Sequence, residues 1–163
     1  MIKQNFENSF NGIDRVILQA LIANARITTS ALARKVGLSP PTVAERVRRL
    51  EDAGVITGFG AQVSPEALGL AIGAWIRIRP LPGGLEKVTA LIRDIPEIVT
   101  CDRITGEDCF LARVHLPSVV ELERIIDRLV GYATTNTSII QPSPVAERMP
   151  AIPKPDKTEP RHK

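Results

Sequence analysis

Leu38-Ser39-Pro40-Pro41-Thr42-Val43-Ala44-Glu45-Arg46-Val47-Arg48-Arg49-Leu50 is the stretch that decides the fold. Ser39 offers a hydroxyl to the free N–H groups at a helix start. Pro40 falls at the first helical position, where its missing N–H costs nothing. Leu38 is placed to staple onto Val43. Val43, Val47 and Leu50 share one face, so the spacing predicts a helix that runs to about Ala53 and stops at Gly54. With that stripe inward, a turn of about 100° per residue points Pro41, Thr42, Glu45, Arg48 and Arg49 outward and leaves Arg46 on the flank.

The residues before it complete a three-helix block. Asn11 can cap a first helix, with Asp14 in its first turn. Ile13, Ile17 and Leu21 form its apolar face, with Val16 and Ala20 beside them. Thr28 caps a second helix over Thr29 to Val36 that buries Leu32, Ala33 and Val36, and Gly37 stops it. After the third helix, 55–57 and 59–63 flank Gly58 and read as a small hairpin or wing. Ser64-Pro65-Glu66-Ala67-Leu68-Gly69 reads as a capped helical turn and hinge. Residues 1–10 show no period and are expected to be a flexible arm, with the three-helix domain and its wing over 11–63 and the hinge at 64–69.

Downstream, strand and helix signals alternate. Residues 70–79 read as a strand with Leu70, Ile72, Ala74, Ile76 and Ile78 on one face and Gly73, Trp75, Arg77 and Arg79 on the other. A helix follows with Leu85, Val88, Ile92 and Ile95 inward. Strands are expected over 98–104 and 109–116, a helix with Leu122, Ile125, Ile126 and Leu129 inward, and a last strand over 135–141. The order is β-α-β-β-α-β, the split βαβ arrangement, so the fold class is α+β. Both helices cover one face of the sheet. Gly73 and Trp75 on the other face fit a partner better than water, and a homodimer follows. This domain is expected over 70–149, and 150–163 reads as a disordered tail.

Charge separates the same regions. Residues 1–60 carry eight Lys and Arg against five Asp and Glu, residues 61–149 nine against eleven, and residues 150–163 four against two. A basic first segment beside a slightly acidic second one points to a polyanionic partner for the first. The two cysteines, Cys101 and Cys109, have no zinc or redox spacing and read as free thiols, and no metal or cofactor is expected. No stretch approaches the ~20 apolar residues of a membrane span, and the first residues lack a signal-peptide core, so the expected place is the cytoplasm with no membrane contact. An enzyme is not expected: Cys109 lies near Glu107 and Asp108, but His115 is six residues along the strand and His162 is in the tail.

A helix with a buried stripe and a basic outer face, preceded by a short helix and a glycine turn, is the form in which a protein reads double-stranded DNA. Its N-terminal part meets base edges, and the remainder meets phosphates. Thr42, Glu45 and Arg46 are the base-reading candidates, and Arg34, Lys35, Arg48 and Arg49 the phosphate candidates. Ser39 and Pro41, at the helix start, complete the DNA-facing set.

Ile13-Asp14-Arg15-x-Ile17-Leu18, Ala25-Arg26-Ile27, 32–40 and Arg46-Val47-Arg48-Arg49-Leu50-Glu51-x-x-Gly54-Val55-Ile56 together resemble the Lrp/AsnC, or feast/famine, family of transcriptional regulators. The resemblance spans about Asn11 to Ala146. It implies a winged helix-turn-helix joined to a βαββαβ ferredoxin-like (RAM-type) effector domain, a sheet-mediated dimer, and dimers assembled into tetramers or octamers. It also implies an amino acid or related metabolite as effector, held between dimers near the turn after the second strand of that domain. The family's turn reads Gly, an acid, an aromatic, Asp. Here it reads Gly106-Glu107-Asp108-Cys109, which matches at the first two positions and departs at the last two. Thr105, Gly106, Glu107 and Asp108, with Thr135 and Thr137 from the last strand, are the effector candidates. Gly106 permits close backbone approach, and the two acids offer an anionic seat for an ammonium group. The alternative is an architectural DNA-binding protein that ignores ligands.

Overall fold

Asn11 begins the first helix as its side chain suggests. Its Oδ1 accepts from the N–H groups of Ile13 and Asp14, at 3.0 and 3.1 Å, and Asp14 Oδ2 accepts from the Asn11 N–H at 3.2 Å. This reciprocal box starts α1, Gly12–Ala23. Thr28 caps α2, Thr29–Val36, and Gly37 ends it in the left-handed region at φ 71°. Ser39 caps α3, Pro40–Asp52, with Pro40 at its start. The computed structural model describes residues 11–153, so the expected arm and most of the expected tail lie outside the described residues.

The chain divides into two compact units, one of Met1–Ala61 with Glu147–Lys163 and one of Gln62–Ala146. The division falls just ahead of the expected hinge. That hinge is a single 3-10 turn, Glu66–Leu68, in which Ser64 Oγ accepts from the Ala67 N–H at 3.2 Å.

In the first unit Ile17, Leu18, Ala20, Leu32, Ala33, Val43 and Leu50 make the buried cluster. Gly54, at φ 68°, turns the chain so that Val55 and Ile56 N–H groups both donate to the Leu50 carbonyl and their side chains pack on the cluster. The expected hairpin over 55–63 does not form. The segment has no β pairing, because its apolar residues near α3 are drawn onto the helical core instead of facing a second strand. A second departure concerns the tail: Ile152 is half-buried against the same cluster.

The second unit follows the expected order β1 (Ile72–Pro80), α4 (Leu85–Arg93), β2 (Ile98–Arg103), β3 (Phe110–Leu116), α5 (Val119–Leu129), β4 (Ala133–Ile139). The last strand starts two residues earlier than its sequence suggests. The four strands lie in the order β2-β3-β1-β4, every neighbouring pair antiparallel. One face is closed: Ala74, Ile76, Ile78, Val114 and Leu116 are fully buried beneath helical residues such as Val88, Ile92, Ile125 and Leu129. Ile95, beyond the end of α4, is buried with them. The other face carries Gly73, Trp75, Arg77 and Arg79 of β1 beside Leu111, Arg113 and His115 of β3. No helix of the described residues is long and apolar enough to cross a membrane.

Candidate DNA-binding and effector sites

The α3 surface is built by its own cap. Ser39 Oγ accepts from the Thr42 N–H at 3.4 Å and shares a 2.7 Å hydrogen bond with the Thr42 hydroxyl, so both hydroxyls sit at the start of the helix. Ser39, Pro41, Thr42, Glu45, Arg48 and Arg49 are exposed, as are Arg34 and Lys35 at the end of α2. The face is partly self-neutralised. Arg48 bonds Glu45 at 2.8 and 3.0 Å and Asp52 at 2.8 Å. The hydrogen bond from Arg48 lowers the Glu45 pKa, and the same bond raises that of Arg48. Arg34, Lys35 and Arg49 are the exposed cations of this face with no such internal ion pair among the described residues.

Arg46, a base-reading candidate, is tied to α1 in this structure. Its Nη1 donates to Asp14 Oδ1 at 2.9 Å, with the Asp14 side chain 7 % and the Arg46 side chain 23 % exposed. Asp14 thus serves two partners, the α1 cap through Oδ2 and α3 through Oδ1. The reason is geometric. A flanking position on α3 faces the neighbouring helix as much as the solvent, and a buried carboxylate there outcompetes water for the guanidinium. No local signal links two residues 32 positions apart.

At the far end of the sheet, the turn Thr105-Gly106-Glu107-Asp108 joins β2 to β3. Gly106 sits at φ 116°, a conformation that favours glycine. The turn is anchored by two backbone bonds, Ile104 N–H to the Cys109 carbonyl at 3.0 Å and Cys109 N–H to the Ile78 carbonyl at 3.1 Å. Arg79 completes it. Its Nη2 donates to Glu107 Oε2 at 2.6 Å, and its Nε lies 3.8 Å from Asp108 Oδ1. Alternation along β1 places Arg79 on the open face but gives it no part in this turn. The β1–β3 register supplies the missing signal: Ile78 pairs with Phe110, so Arg79 falls one step further, beside the turn.

Thr135 and Thr137 pair with Ile78 and Ile76, so their side chains lie on the helix-covered side of β4 and not on the open face with Arg79. Thr135 is nonetheless one strand away from the turn, since Ile78 also pairs with Phe110 at the start of β3. Thr137 lies two residues further along, with its Oγ1 buried and lacking a hydrogen-bond partner. Among the described residues no cluster of three or more His, Cys, Asp and Glu forms a metal-sized group. Cys101 and Cys109 are free, and burial raises the Cys101 pKa.

Comparison with known proteins matches both units. The winged helix-turn-helix DNA-binding family matches residues 10–57, and the Lrp/AsnC ligand binding domain matches residues 73–150. The chain is 35 % identical over 130 residues to the HTH-type transcriptional regulator LrpA of Mycobacterium tuberculosis, covering 79 % of this chain and 87 % of that one. It is 36 % identical over 146 residues to the proline dehydrogenase transcriptional activator of Rhodobacter capsulatus, covering 85 % and 95 %. The structure of a feast or famine regulatory protein of M. tuberculosis complexed with L-methionine superposes with a TM-score of 0.82 at 33 % identity, covering 88 % of this chain and 100 % of that one. These relatives are regulators of transcription rather than enzymes. With a capped helix-turn-helix, a βαββαβ domain of matching topology and both domain families in order along the sequence, the chain belongs to the Lrp/AsnC family of DNA-binding transcriptional regulators.

Proposed function

We propose that this regulator reads duplex DNA with the exposed face of α3 and that an amino acid bound at the Thr105–Asp108 turn changes that binding through assembly. Thr42 and Glu45 stand where base edges are met, and Arg34, Lys35, Arg48 and Arg49 where phosphates are met. Ser39 and Pro41 bring the helix start to the groove. Arg46 holds α3 to α1 instead. The observation that carries the effector reading is the charged turn itself, in which Glu107 is 87 % exposed and held by a single arginine. An amino acid offers both charges that such a turn can pair with, an ammonium for Glu107 or Asp108 and a carboxylate for Arg79. Thr135 and the unpartnered Thr137 hydroxyl lie on β4, with β1 between them and the strands of the turn, and complete the proposed polar set.

Assembly is part of this reading. The open sheet face pairs two copies as a homodimer, and dimers associate into a tetramer or octamer with the turn at their contact. A ligand there shifts DNA binding only by binding one assembly state better than another. The L-methionine complex of the M. tuberculosis relative supports an amino acid as effector. A protein that acts on the chromosome works in the cytoplasm.

A second reading, a ligand-independent architectural DNA-binding protein, has its own support. Arg79 already occupies Glu107, and Asp108 and Cys109 stand where the family's turn has an aromatic and an acid. A thermal-shift screen against the twenty amino acids separates the two. An effector present at about a hundred times its Kd stabilises the folded state by about 2.7 kcal/mol. The shift is expected with at least one amino acid and is expected to vanish in Asp108→Ala. No shift with any of them favours the architectural reading, and an unchanged shift in Asp108→Ala moves the pocket away from the turn.

A further inference from the structure

The exposed face of α3 carries carboxylates where phosphates alone would call for cations. Arg48 is clamped between two of them on its own helix. Its Nε and Nη2 donate to Glu45 at 3.0 and 2.8 Å, and its Nη1 donates to Asp52 at 2.8 Å. All three side chains are more than half exposed. Exposed pairs of this kind add little to stability, so folding does not account for the ladder. Two carboxylates against one guanidinium leave it net negative, and a negative ridge is repelled by a phosphate backbone. A carboxylate on such a helix is favourable only where the duplex offers it a hydrogen-bond donor.

The major groove offers that donor on cytosine, whose N4 amino group is the base atom that acidic side chains accept from. Glu45 has the chemistry and the place for it. The hydrogen bond from Arg48 lowers its pKa, so the group is ionised at neutral pH and can only accept. It lies one turn beyond Thr42 on the same exposed face, in the half of α3 nearest the helix start. The two acids occupy three of the Arg48 N–H groups, which leaves one each on Nη1 and Nη2 for a phosphate oxygen.

We infer that Glu45 reads the amino group of a cytosine in the major groove and that Arg48, held from the other side by Asp52, is the positioning residue that fixes its carboxylate. The inference rests on the reading that the exposed face of α3 meets DNA. The two-bond clamp removes rotational freedom from a flexible side chain before DNA arrives, so less is lost on binding. It is also a filter. At a site without an amino group at that point, the carboxylates face a polyanion and have nothing to accept from, so the wrong sequence is rejected.

Selection from a randomised duplex pool with the full chain reads base preference directly. The wild type is expected to favour a C·G pair at one position of its selected site by roughly ten- to a hundredfold. Glu45→Gln adds an amide donor at nearly constant shape, so the preference there is expected to move to an A·T pair while the other positions stay. Glu45→Ala is expected to lose the preference at that position alone and to bind a mixed-sequence 30-base-pair duplex more tightly. Arg48→Met keeps the stem and removes the clamp. Loss of a phosphate contact alone would weaken all sequences alike, whereas loss of positioning is expected to reduce the C·G preference several-fold as well. The wild-type site in both Glu45 variants, or a Glu45-dependent position that is not C·G, overturns the cytosine assignment. Weaker mixed-sequence binding by Glu45→Ala overturns the filter, and a full C·G preference in Arg48→Met overturns the positioning role. Arg49→Ala separates these outcomes from the reading beneath them. If it binds as the wild type does and no Glu45 variant changes the selected site, α3 does not face DNA, and the inference falls with that reading.

Discussion

The two units close their cores in different ways. Among the described residues, the DNA-binding unit has seven buried apolar residues in its cluster, and it adds an ionic tie, Asp14 to Arg46, across two helices. The effector unit has fourteen buried residues, all beneath one face of its sheet, and leaves Trp75, Leu111 and Arg113 on the other. A small core needs polar fastening to hold its helices in register. A larger one can leave a face over for a partner. Polar groups turned inward tie helices together in the first unit, and the second unit turns apolar and cationic groups outward on the uncovered face of its sheet.

The sharpest way to break this contrast is Asp14→Ala. It strands the half-buried Arg46 guanidinium and removes half of the α1 capping box, a loss of about 3 kcal/mol for breaking a buried pair. Trp75 and Tyr132, the single Trp and Tyr, both lie in the effector unit, so tryptophan emission reports that unit alone. In a denaturant titration the helical circular-dichroism signal is expected to fall at lower denaturant while the emission midpoint stays. Coincident shifts would mean that the units unfold as one. Arg46→Ala is expected to reproduce most of this loss. Arg49→Ala is expected to leave stability unchanged and to weaken DNA binding about tenfold, with a salt slope smaller by about 1. Equal DNA defects at both positions, without a stability difference, would restore Arg46 to the reading face.

The contrast also explains what was legible. Caps, glycine stops and i, i+4 stripes are local, and they place α2 at its observed bounds and α3 within a residue. Alternation likewise places the strands of the effector unit and the open face with Trp75. Register is not local. The Asp14–Arg46 tie spans 32 residues, and Arg79 reaches Glu107 across 28. Each requires knowing which elements pack together before the partner can be named. The missing hairpin pairing over 55–63 has a related cause. Val55, Ile56 and Thr57 are β-branched and precede Gly58 as a strand before a turn would, but the Leu50 carbonyl and the helical cluster claim Val55 and Ile56 first.

A second test concerns the uncovered face. Trp75 lies beside Arg113, whose guanidinium is 5.7 Å from the indole centroid, and both sit opposite the buried side of β1 and β3. Burying such an aromatic at the centre of an interface is commonly worth about 2 kcal/mol or more, roughly a thirtyfold change in association. Trp75→Asp is therefore expected to lower the mass seen by light scattering at micromolar concentration to that of a monomer, with circular dichroism unchanged. Asp14→Ala is expected to leave that mass at the wild-type value. A wild-type mass for Trp75→Asp would show that assembly uses another surface and that the open face belongs to solvent.

The smallest expected effect lies at the same face and depends on pH. His115 pairs with Gly73 across β3 and β1, and a Cβ on Gly73 would lie 3.6 Å from the ring Cε1, so the imidazole lies over the glycine. Burial, and next the Arg113 charge, lower its pKa below the ordinary 6.5. Arg77, Arg79 and Arg113 share its face, so protonation adds a further positive charge there. The folded state thus binds its proton less readily than the unfolded state does. Its contribution to stability is full above the unfolded value and is lost as pH falls through 6.5, until the folded group titrates as well. A second copy seated on this face would desolvate the ring further and shift assembly in the same direction. Between pH 7.5 and 5.5 the emission-detected melting temperature is expected to fall and the dimer to weaken by less than about tenfold per protomer. His115→Gln should remove that part of the pH dependence while retaining the dimer at pH 7.5. A pH profile identical in wild type and His115→Gln would place the ring in water on a face that no partner covers.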